Sequence, residues 1–145
     1  HSIKSHIIRF EIIHPTKEIA EKLKISEEDF VYDIVRIRYL DDKPANVEYT
    51  QMPIDVITGI RHEVLLGSIY AYIQDTLKLQ IQSAHRAISA DMPTDEERKY
   101  LKIEGELPIL QVAQVVFLSD GRPFEYSRSR HRADMSSFRA VSIYY

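Results

Sequence analysis

The sequence predicts an α+β fold, with a mainly antiparallel sheet flanked by helices. About seven segments show the apolar alternation or β-branched composition of strands, and about three show helical periodicity. Strands that are adjacent in sequence are joined by short turn sequences rather than by regular helical crossovers, which favours antiparallel pairing. At 145 residues, with 44% hydrophobic and 28% charged residues, the chain has the composition of a globular domain, and residues 1–145 are expected to form a single core.

The first two elements are predicted to be a strand and a short helix. Residues 6–13 are rich in β-branched side chains, which favours a strand. Pro15 is suited to the first turn of a helix, in which Ile19, Ala20 and Leu23 recur at helical spacing.

A β-hairpin is predicted next. Residues 30–40 and 45–52 both alternate, and the intervening Asp-Asp-Lys-Pro sequence has turn chemistry. Arg36 and Arg38 lie two positions apart and therefore share one face of the first hairpin strand. Both faces of that strand are partly apolar, which indicates an internal position in the sheet.

The remaining chain is predicted to contain two helices and four strands. One helix is expected to begin near Ser68, a suitable N-cap, and the other at a capping box formed by Thr94 and Glu97. The predicted strands are residues 80–90, 109–118, 124–132 and 138–145. The last of these is expected to be either a terminal core strand or a segment that pairs between subunits.

The composition excludes several classes of function. The chain has no cysteine, so it has no disulfide framework, thiolate metal site or cysteine nucleophile. Its six histidines show no paired ligand spacing, and no glycine-rich phosphate loop or nucleophile elbow is present. We therefore expect no metal, no cofactor and no catalytic residue.

The charge and the apolar runs bear on partners and location. With 19 basic and 22 acidic residues, the net charge is −3, which disfavours direct binding to nucleic acid or to an anionic membrane. The apolar runs fall far short of the ~18 residues that a membrane span needs. There is neither an initiator methionine nor a signal-peptide pattern, so we expect a cytoplasmic piece of a longer protein, without membrane contact.

Polar side chains on strand faces that a sheet could bury are the candidates for a binding site. Guanidiniums, a hydroxyl and a helix start are suited to an anion such as phosphate, and two carboxylates are suited to sugar hydroxyls or an amine. The candidates are Arg36, Arg38, Glu48, Ser68, Tyr70, Glu125, Ser127, Ser129 and His131.

Several of these candidates also have a purely structural interpretation. Arg36 and Arg38 could extend from an exposed strand face, and Glu48 could be only a cross-strand ion-pair partner. Ser68 could be only a helix cap, and Tyr70 could be a packing residue.

The basic segment 128–132 has two interpretations as well. Its three arginines alternate with Ser129 and His131, so the preferred interpretation is a solvated strand face. Asp120, Glu125 and Asp134 are expected to balance its charge. Direct nucleic-acid binding is the alternative.

Five groups of short motifs occur in a specific order along nearly the whole chain. They are Arg36-x-Arg38; Asp42-x-Pro44 with Glu48-x-x-x-Met52-Pro53; Gly67-Ser68-Ile69-Tyr70; Gly121-x-Pro123-x-Glu125-x-Ser127; and His131-Arg132-x-Asp134. In this order and spacing they resemble the UTRA domain, the effector-sensing C-terminal half of HutC-type regulators within the GntR group. The resemblance implies a chorismate-lyase-like fold that binds a small molecule and usually forms a homodimer.

The resemblance also implies roles for individual residues. Arg36, Arg38, Ser68 and Tyr70 would hold an anionic group such as phosphate, and Glu48, Glu125 and His131 would contact the rest of the effector. Family members commonly have tyrosine at the position of His131 and a second arginine at the position of Met135. At the position of His131, histidine also occurs in sequences like the trehalose operon repressors, which favours a sugar-phosphate effector.

The implied mechanism is linkage rather than catalysis. An N-terminal winged helix-turn-helix, absent from this chain, would bind operator DNA, and effector binding would favour an arrangement that cannot span both half-sites. We therefore expect the sensing domain of a repressor and not an enzyme. A small chorismate-lyase-like enzyme is the alternative that the shared fold leaves open.

Overall fold

Six strands form one antiparallel sheet in the computed structural model, which describes residues 3–144. The order across the sheet is β1-β2-β3-β6-β5-β4, so β1 and β4 are the edges. All five neighbouring pairs are antiparallel, which confirms the predicted α+β class. The strands are β1 (Ile3–Ile13), β2 (Val31–Leu40), β3 (Lys43–Pro53), β4 (Ile81–Asp91), β5 (Ile109–Leu118) and β6 (Pro123–Arg132).

Two of the predicted helices form where they were expected, and the second of them has the cap that was predicted. Helix α1 (Lys17–Leu23) begins after Thr16, whose side chain accepts a hydrogen bond from the Ile19 amide. Pro15 therefore precedes the cap instead of occupying the first turn, which corrects its predicted place. Helix α4 (Asp95–Tyr100) has the predicted capping box, with Thr94 and Glu97 bonded to each other's backbone amides.

The segment between β3 and β4 is more broken than predicted. Helix α2 (His62–Leu66) was not predicted; it has only five residues and no side-chain cap. Helix α3 (Ile69–Ala71) begins at Ser68 as predicted, because the Ser68 hydroxyl accepts from the Ala71 amide at 3.1 Å. It continues directly into a π-helix, Tyr72–Thr76.

The two faces of the sheet carry separate apolar clusters, because successive side chains of a strand point to opposite faces. The face covered by α2, α3 and the π-helix is called the α2–α3 face. Its buried cluster includes Ile34, Met52, Val116, Leu65 and Ile73. The opposite face, called the α4 face, has a second buried cluster made of Val35, Ile37, Val47, Leu101, Ile103 and Ile109.

The seventh strand is wrong as a core strand of this chain, while the alternative, pairing of this segment between subunits, stays a prediction. After a 3-10 turn at Ala133–Met135, residues 136–144 form no strand, and Tyr145 lies outside the described residues. Phe138, Val141, Ile143 and Tyr144 are largely exposed. A segment with alternating apolar residues forms a strand only where it can pair with the edge of a sheet, and no such pairing forms along 136–144.

The predicted solvated face of 128–132 is also wrong. Arg130 is buried on the α4 face, where its Nε donates to Glu97 Oε2 at 2.8 Å and its Nη1 to Asp91 Oδ2 at 3.0 Å. Arg132 pairs with Asp134, as expected. Of the other two predicted counter-charges, Asp120 pairs with Arg122, and Glu125 lies on the opposite face, the α2–α3 face.

Candidate functional site

A cavity of about 390 Å³ lies on the α2–α3 face of the sheet. Its walls come from β2, β3, β6, β5 and β4, and α3 contributes two residues. Seven of the eight predicted effector contacts line it: Arg36, Arg38, Glu48, Tyr70, Glu125, Ser127 and His131. Ser129, the further candidate on the same strand face, lines it too.

The strand register explains this convergence. Arg36 on β2 is paired with Glu48 on β3, and Glu48 is paired with Ser129 on β6. Thr50, two residues along β3, is paired with Ser127. Paired residues point to the same face, so the polar positions of three neighbouring strands form one continuous wall.

Ser68 is the predicted contact that the structure does not bring to the cavity. Its hydroxyl is used as the cap of α3, and it lines a separate shallow depression together with Gly67 and Ala71. Tyr70 and Ile69, the next residues along the chain, face the cavity instead.

The two arginines differ in how firmly they are held. The Arg36 side chain is 5% exposed; it donates from Nη2 to Glu48 Oε2 at 2.9 Å and from Nη1 to the Leu65 carbonyl at 3.0 Å. Burial lowers the pKa of Arg36, and nearby Arg38 lowers it further, while Glu48 opposes both effects. The Arg38 side chain is 36% exposed, with its Nε 3.0 Å from the same Glu48 oxygen.

Both arginines retain an unused donor. The Nε atoms of Arg36 and Arg38 are buried and donate no hydrogen bond within residues 3–144. For Arg38 this means that the N–H is not aligned on Glu48 despite the 3.0 Å separation. Buried donors normally have acceptors, so the pair is suited to a further group with several acceptor oxygens.

A second group of contacts fixes the buried carboxylate of Glu125. Its Oε2 accepts hydrogen bonds from Tyr70 (3.0 Å), Gln114 (3.1 Å) and Ser127 (3.1 Å). Burial raises the pKa of Glu125, and these three donors partly offset that effect. Burial also raises the pKa of Tyr70, with Glu125 acting in the same direction, so Tyr70 is a hydrogen-bond donor at neutral pH.

His131 ends a short chain of polar contacts. Asn46 Nδ2 donates to the Ser129 hydroxyl at 2.9 Å, and the Ser129 oxygen is 2.8 Å from His131 Nε2. Burial lowers the pKa of His131, so the ring is neutral at pH 7 and can either donate or accept a hydrogen bond.

The sequence interpretation missed Thr50 on β3, Gln114 on β5 and Arg86 on β4, three polar residues of this wall. Arg86 Nε donates to Gln114 Oε1 at 2.9 Å, which turns the Gln114 amide nitrogen toward Glu125 and Tyr70. Alternation along 109–118 placed Gln114 on a face with Val112 and Val116, but only the pairing of β5 with β6 shows that this face meets Glu125.

The cavity has an excess of positive charge. Three arginines of the lining belong to this face (Arg36, Arg38 and Arg86) against two glutamates, Glu48 and Glu125, which gives +1 with His131 neutral. Arg128 also borders the cavity, but its guanidinium lies 4.6 Å from the centre of the Tyr49 ring, and Tyr49 packs on the α4 face. Within residues 3–144, no group of three or more histidine, aspartate or glutamate side chains is placed to hold a metal ion. No helix in that part of the chain has the length and hydropathy needed to cross a membrane.

This chain is similar to known proteins over nearly its whole length. A family model described as the UTRA domain matches residues 1–137. The chain is 42% identical over 141 residues to the HTH-type transcriptional regulator GmuR of Bacillus subtilis, covering 97% of this chain and 60% of that protein. It is 32% identical over 138 residues to the mannosyl-D-glycerate transport/metabolism system repressor MngR of Escherichia coli, covering 95% and 58%.

Solved structures show the same architecture. A GntR-family transcriptional regulator from Bacillus cereus superposes with a TM-score of 0.88 at 39% identity, covering 97% of this chain and 99% of that one. The effector binding domain of the B. subtilis trehalose repressor (TreR) superposes with a TM-score of 0.86 at 28% identity, covering 97% and 98%. The chain thus spans about 60% of the length of the curated relatives it matches, and nearly all of these two shorter chains.

Proposed function

The chain belongs to the UTRA domain family, and from that premise we propose that it is the effector-binding domain of a bacterial GntR-type transcriptional regulator. Its effector is a phosphorylated sugar or a similar small organic anion. The observation that carries the proposal is the cavity, in which two arginines with unused donors stand beside two carboxylates and a neutral histidine.

The arginine end of the cavity is suited to the anionic group. A hydrogen bond between charged partners contributes about 1.5–3 kcal/mol, and micromolar affinity requires about 8 kcal/mol. A few such contacts from Arg36 and Arg38 would supply that affinity after the entropy cost of binding. The Tyr70 hydroxyl, also predicted to hold the anion, already donates its proton to Glu125. The excess positive charge of the lining supports an anion over a neutral ligand.

The other end of the cavity is suited to hydroxyl groups. Glu125 offers carboxylate oxygens there, while Ser127 and His131 can donate or accept. Glu48 lies against the two arginines and offers carboxylate oxygens at the boundary between the two ends. Two similar proteins have names that refer to carbohydrates, a mannosyl-D-glycerate repressor and a trehalose repressor. These names support a carbohydrate effector for this chain without identifying it.

The domain is proposed to act by binding and not by turnover, in keeping with relatives that are named as transcriptional regulators and repressors. In the complete regulator, a winged helix-turn-helix domain would bind operator DNA as part of a homodimer. Effector binding would favour the arrangement with low operator affinity, so that the operator is released. No feature of the cavity favours the lyase alternative.

A thermal-shift screen tests the effector class. Hexose 6-phosphates should raise the melting temperature of this chain, and the corresponding unphosphorylated hexoses should not. At 100-fold excess over Kd, a ligand that binds only the folded state stabilises it by about 2.7 kcal/mol. If no phosphorylated sugar or small organic anion changes the melting temperature, the proposed effector class is wrong.

Arg38→Ala tests the role of the arginine pair. Because the Arg38 side chain is partly exposed, and its ion pair with Glu48 is made without a hydrogen bond from Nε, the variant should fold with a melting temperature close to that of the wild type. Loss of one charged contact, about 1.5–3 kcal/mol, should weaken binding of an active sugar phosphate at least tenfold by calorimetry.

Arg122→Ala is the matched control for that experiment. Arg122 pairs with Asp120 in the turn before β6 and does not line the cavity. Its substitution should leave the affinity unchanged. Equal affinity of Arg38→Ala and Arg122→Ala would refute the assigned role.

A further inference from the structure

A single carboxylate oxygen lies between Arg36 and Arg38. Glu48 Oε2 accepts from Arg36 Nη2 at 2.9 Å and lies 3.0 Å from Arg38 Nε. Within the described residues, no other carboxylate forms an ion pair with either arginine. Glu48 therefore occupies the position at which the anionic group of a ligand would meet both guanidiniums.

The two contacts of Glu48 are unequal. Arg36 is almost fully buried and is also fixed to the Leu65 carbonyl, so it requires a negative partner at all times. Arg38 is partly exposed, and its Nε–H is not aligned on Glu48. Exposed ion pairs are weakly held, so Arg38 is the partner that can be exchanged.

One carboxylate oxygen also leaves the arginines incompletely satisfied. Both Nε donors lack an acceptor among residues 3–144, although both are buried. An anion with several oxygens, such as phosphate, could satisfy donors on both guanidiniums at once. Such an anion would also supply the charge compensation that Glu48 provides in this structure.

We propose that Glu48 is a specificity-determining residue, a built-in counter-anion that makes the anionic group of the effector a requirement for binding. A neutral sugar leaves Glu48 between the arginines, and the carboxylate is not available to its hydroxyls. An anion that bridges Arg36 and Arg38 replaces Glu48 and frees it to accept hydrogen bonds from the rest of the ligand. This inference rests on the proposed function. It adds that the anion must replace Glu48 before Glu48 can accept hydrogen bonds from the rest of the ligand.

Calorimetric titration with inorganic phosphate separates this role from simple ligand contact. Glu48→Gln removes the competing charge while keeping the side-chain shape, so it should bind phosphate roughly two- to fivefold more tightly than the wild type, the fold-change that corresponds to an exposed ion pair. Glu63→Gln is the matched control, because Glu63 pairs with exposed Arg61 outside the cavity lining. Its phosphate affinity should equal that of the wild type.

The outcomes distinguish the two proposals. Phosphate binding that is unchanged or weaker in Glu48→Gln overturns the counter-anion role while leaving the proposed function in place. Absence of phosphate binding to the wild type and to both variants removes the anion-binding function, and this inference with it.

A second measurement needs only the wild-type protein, so it tests the counter-anion role of Glu48 even if Glu48→Gln does not fold. In a crystal structure with phosphate bound, the separation of Arg38 Nε from Glu48 Oε2 should exceed the roughly 4 Å limit of an ion pair. Phosphate bound beside a retained 3.0 Å contact would overturn the inference.

Discussion

Replacement of Glu97 by glutamine is expected to cost the domain about 3 kcal/mol of unfolding free energy. Glu97 is buried on the α4 face, where its Oε2 accepts from Arg130 Nε at 2.8 Å and from Tyr49 at 2.6 Å. Its Oε1 accepts from the Thr94 amide at 3.0 Å. Burial raises the pKa of Glu97, but these donors outweigh it, so the net direction is downward and the group is ionised at neutral pH.

The magnitude follows from the acceptors that glutamine lacks. An amide has one acceptor oxygen, so either the Thr94 amide or the Arg130 and Tyr49 donors would face an NH₂ group. Removing one partner of a buried ion pair costs about 3–5 kcal/mol. We expect a cost at the low end of this range, because Asp91 and Gln111 still accept hydrogen bonds from Arg130. At about 2.1 cal/mol/K of unfolding entropy per residue, this corresponds to a fall in melting temperature of about 10 °C.

Urea unfolding and calorimetry would measure this loss directly. Glu96→Gln is the matched control, since Glu96 is an exposed neighbour in the same helix and its change should stay within about 0.5 kcal/mol. A Glu97→Gln variant whose stability equals that of Glu96→Gln would refute the reasoning, because the buried contacts would then contribute nothing to the folded state.

Two further predictions concern His131 and the C-terminal segment. Because burial lowers the pKa of folded His131 below its usual 6.5, the unfolded chain binds a proton that the folded chain does not; stability should therefore fall as pH decreases from 6.5 toward the folded pKa. His131→Gln should lack this loss, and equal pH dependence of the two proteins in urea unfolding would contradict the assignment. Truncation after Ser137 should change the unfolding free energy by less than about 0.5 kcal/mol, because residues 138–144 are exposed and outside the sheet; a larger loss in thermal unfolding would show that this segment packs on the domain.

Most of the cavity wall could be predicted from sequence because strand alternation is a local property. Arg36 and Arg38 share a face whatever the strand's neighbours are, and so do Glu125 and Ser127. The turn at 41–44 made β2 and β3 neighbours, which brought Glu48 opposite Arg36. The resemblance to the UTRA domain then implied that these separate faces meet at one effector site.

The misses concern properties that arise only when elements meet. Arg86 reaches the cavity because β4 pairs with β5 at the far edge of the sheet, and no local pattern encodes that order. Helix α2 has too few residues for a periodic signal; buried Leu65 and the hydrogen bond from Arg36 hold it in place. The C-terminal segment carries a strand-like pattern but pairs with no strand along 136–144.

The alternation along β6 connects the two faces of the domain. Ser129 and His131 point into the cavity, while Arg130 between them points to Glu97 on the α4 face. Because side chains alternate with a period of two, a slip of one residue would place Arg130 in the cavity and turn Ser129 and His131 toward α4. Such a slip would leave buried Glu97 without its counter-charge, which is strongly unfavourable. The ion pair on the α4 face therefore specifies the register of β6, and with it the cavity positions that face the proposed effector.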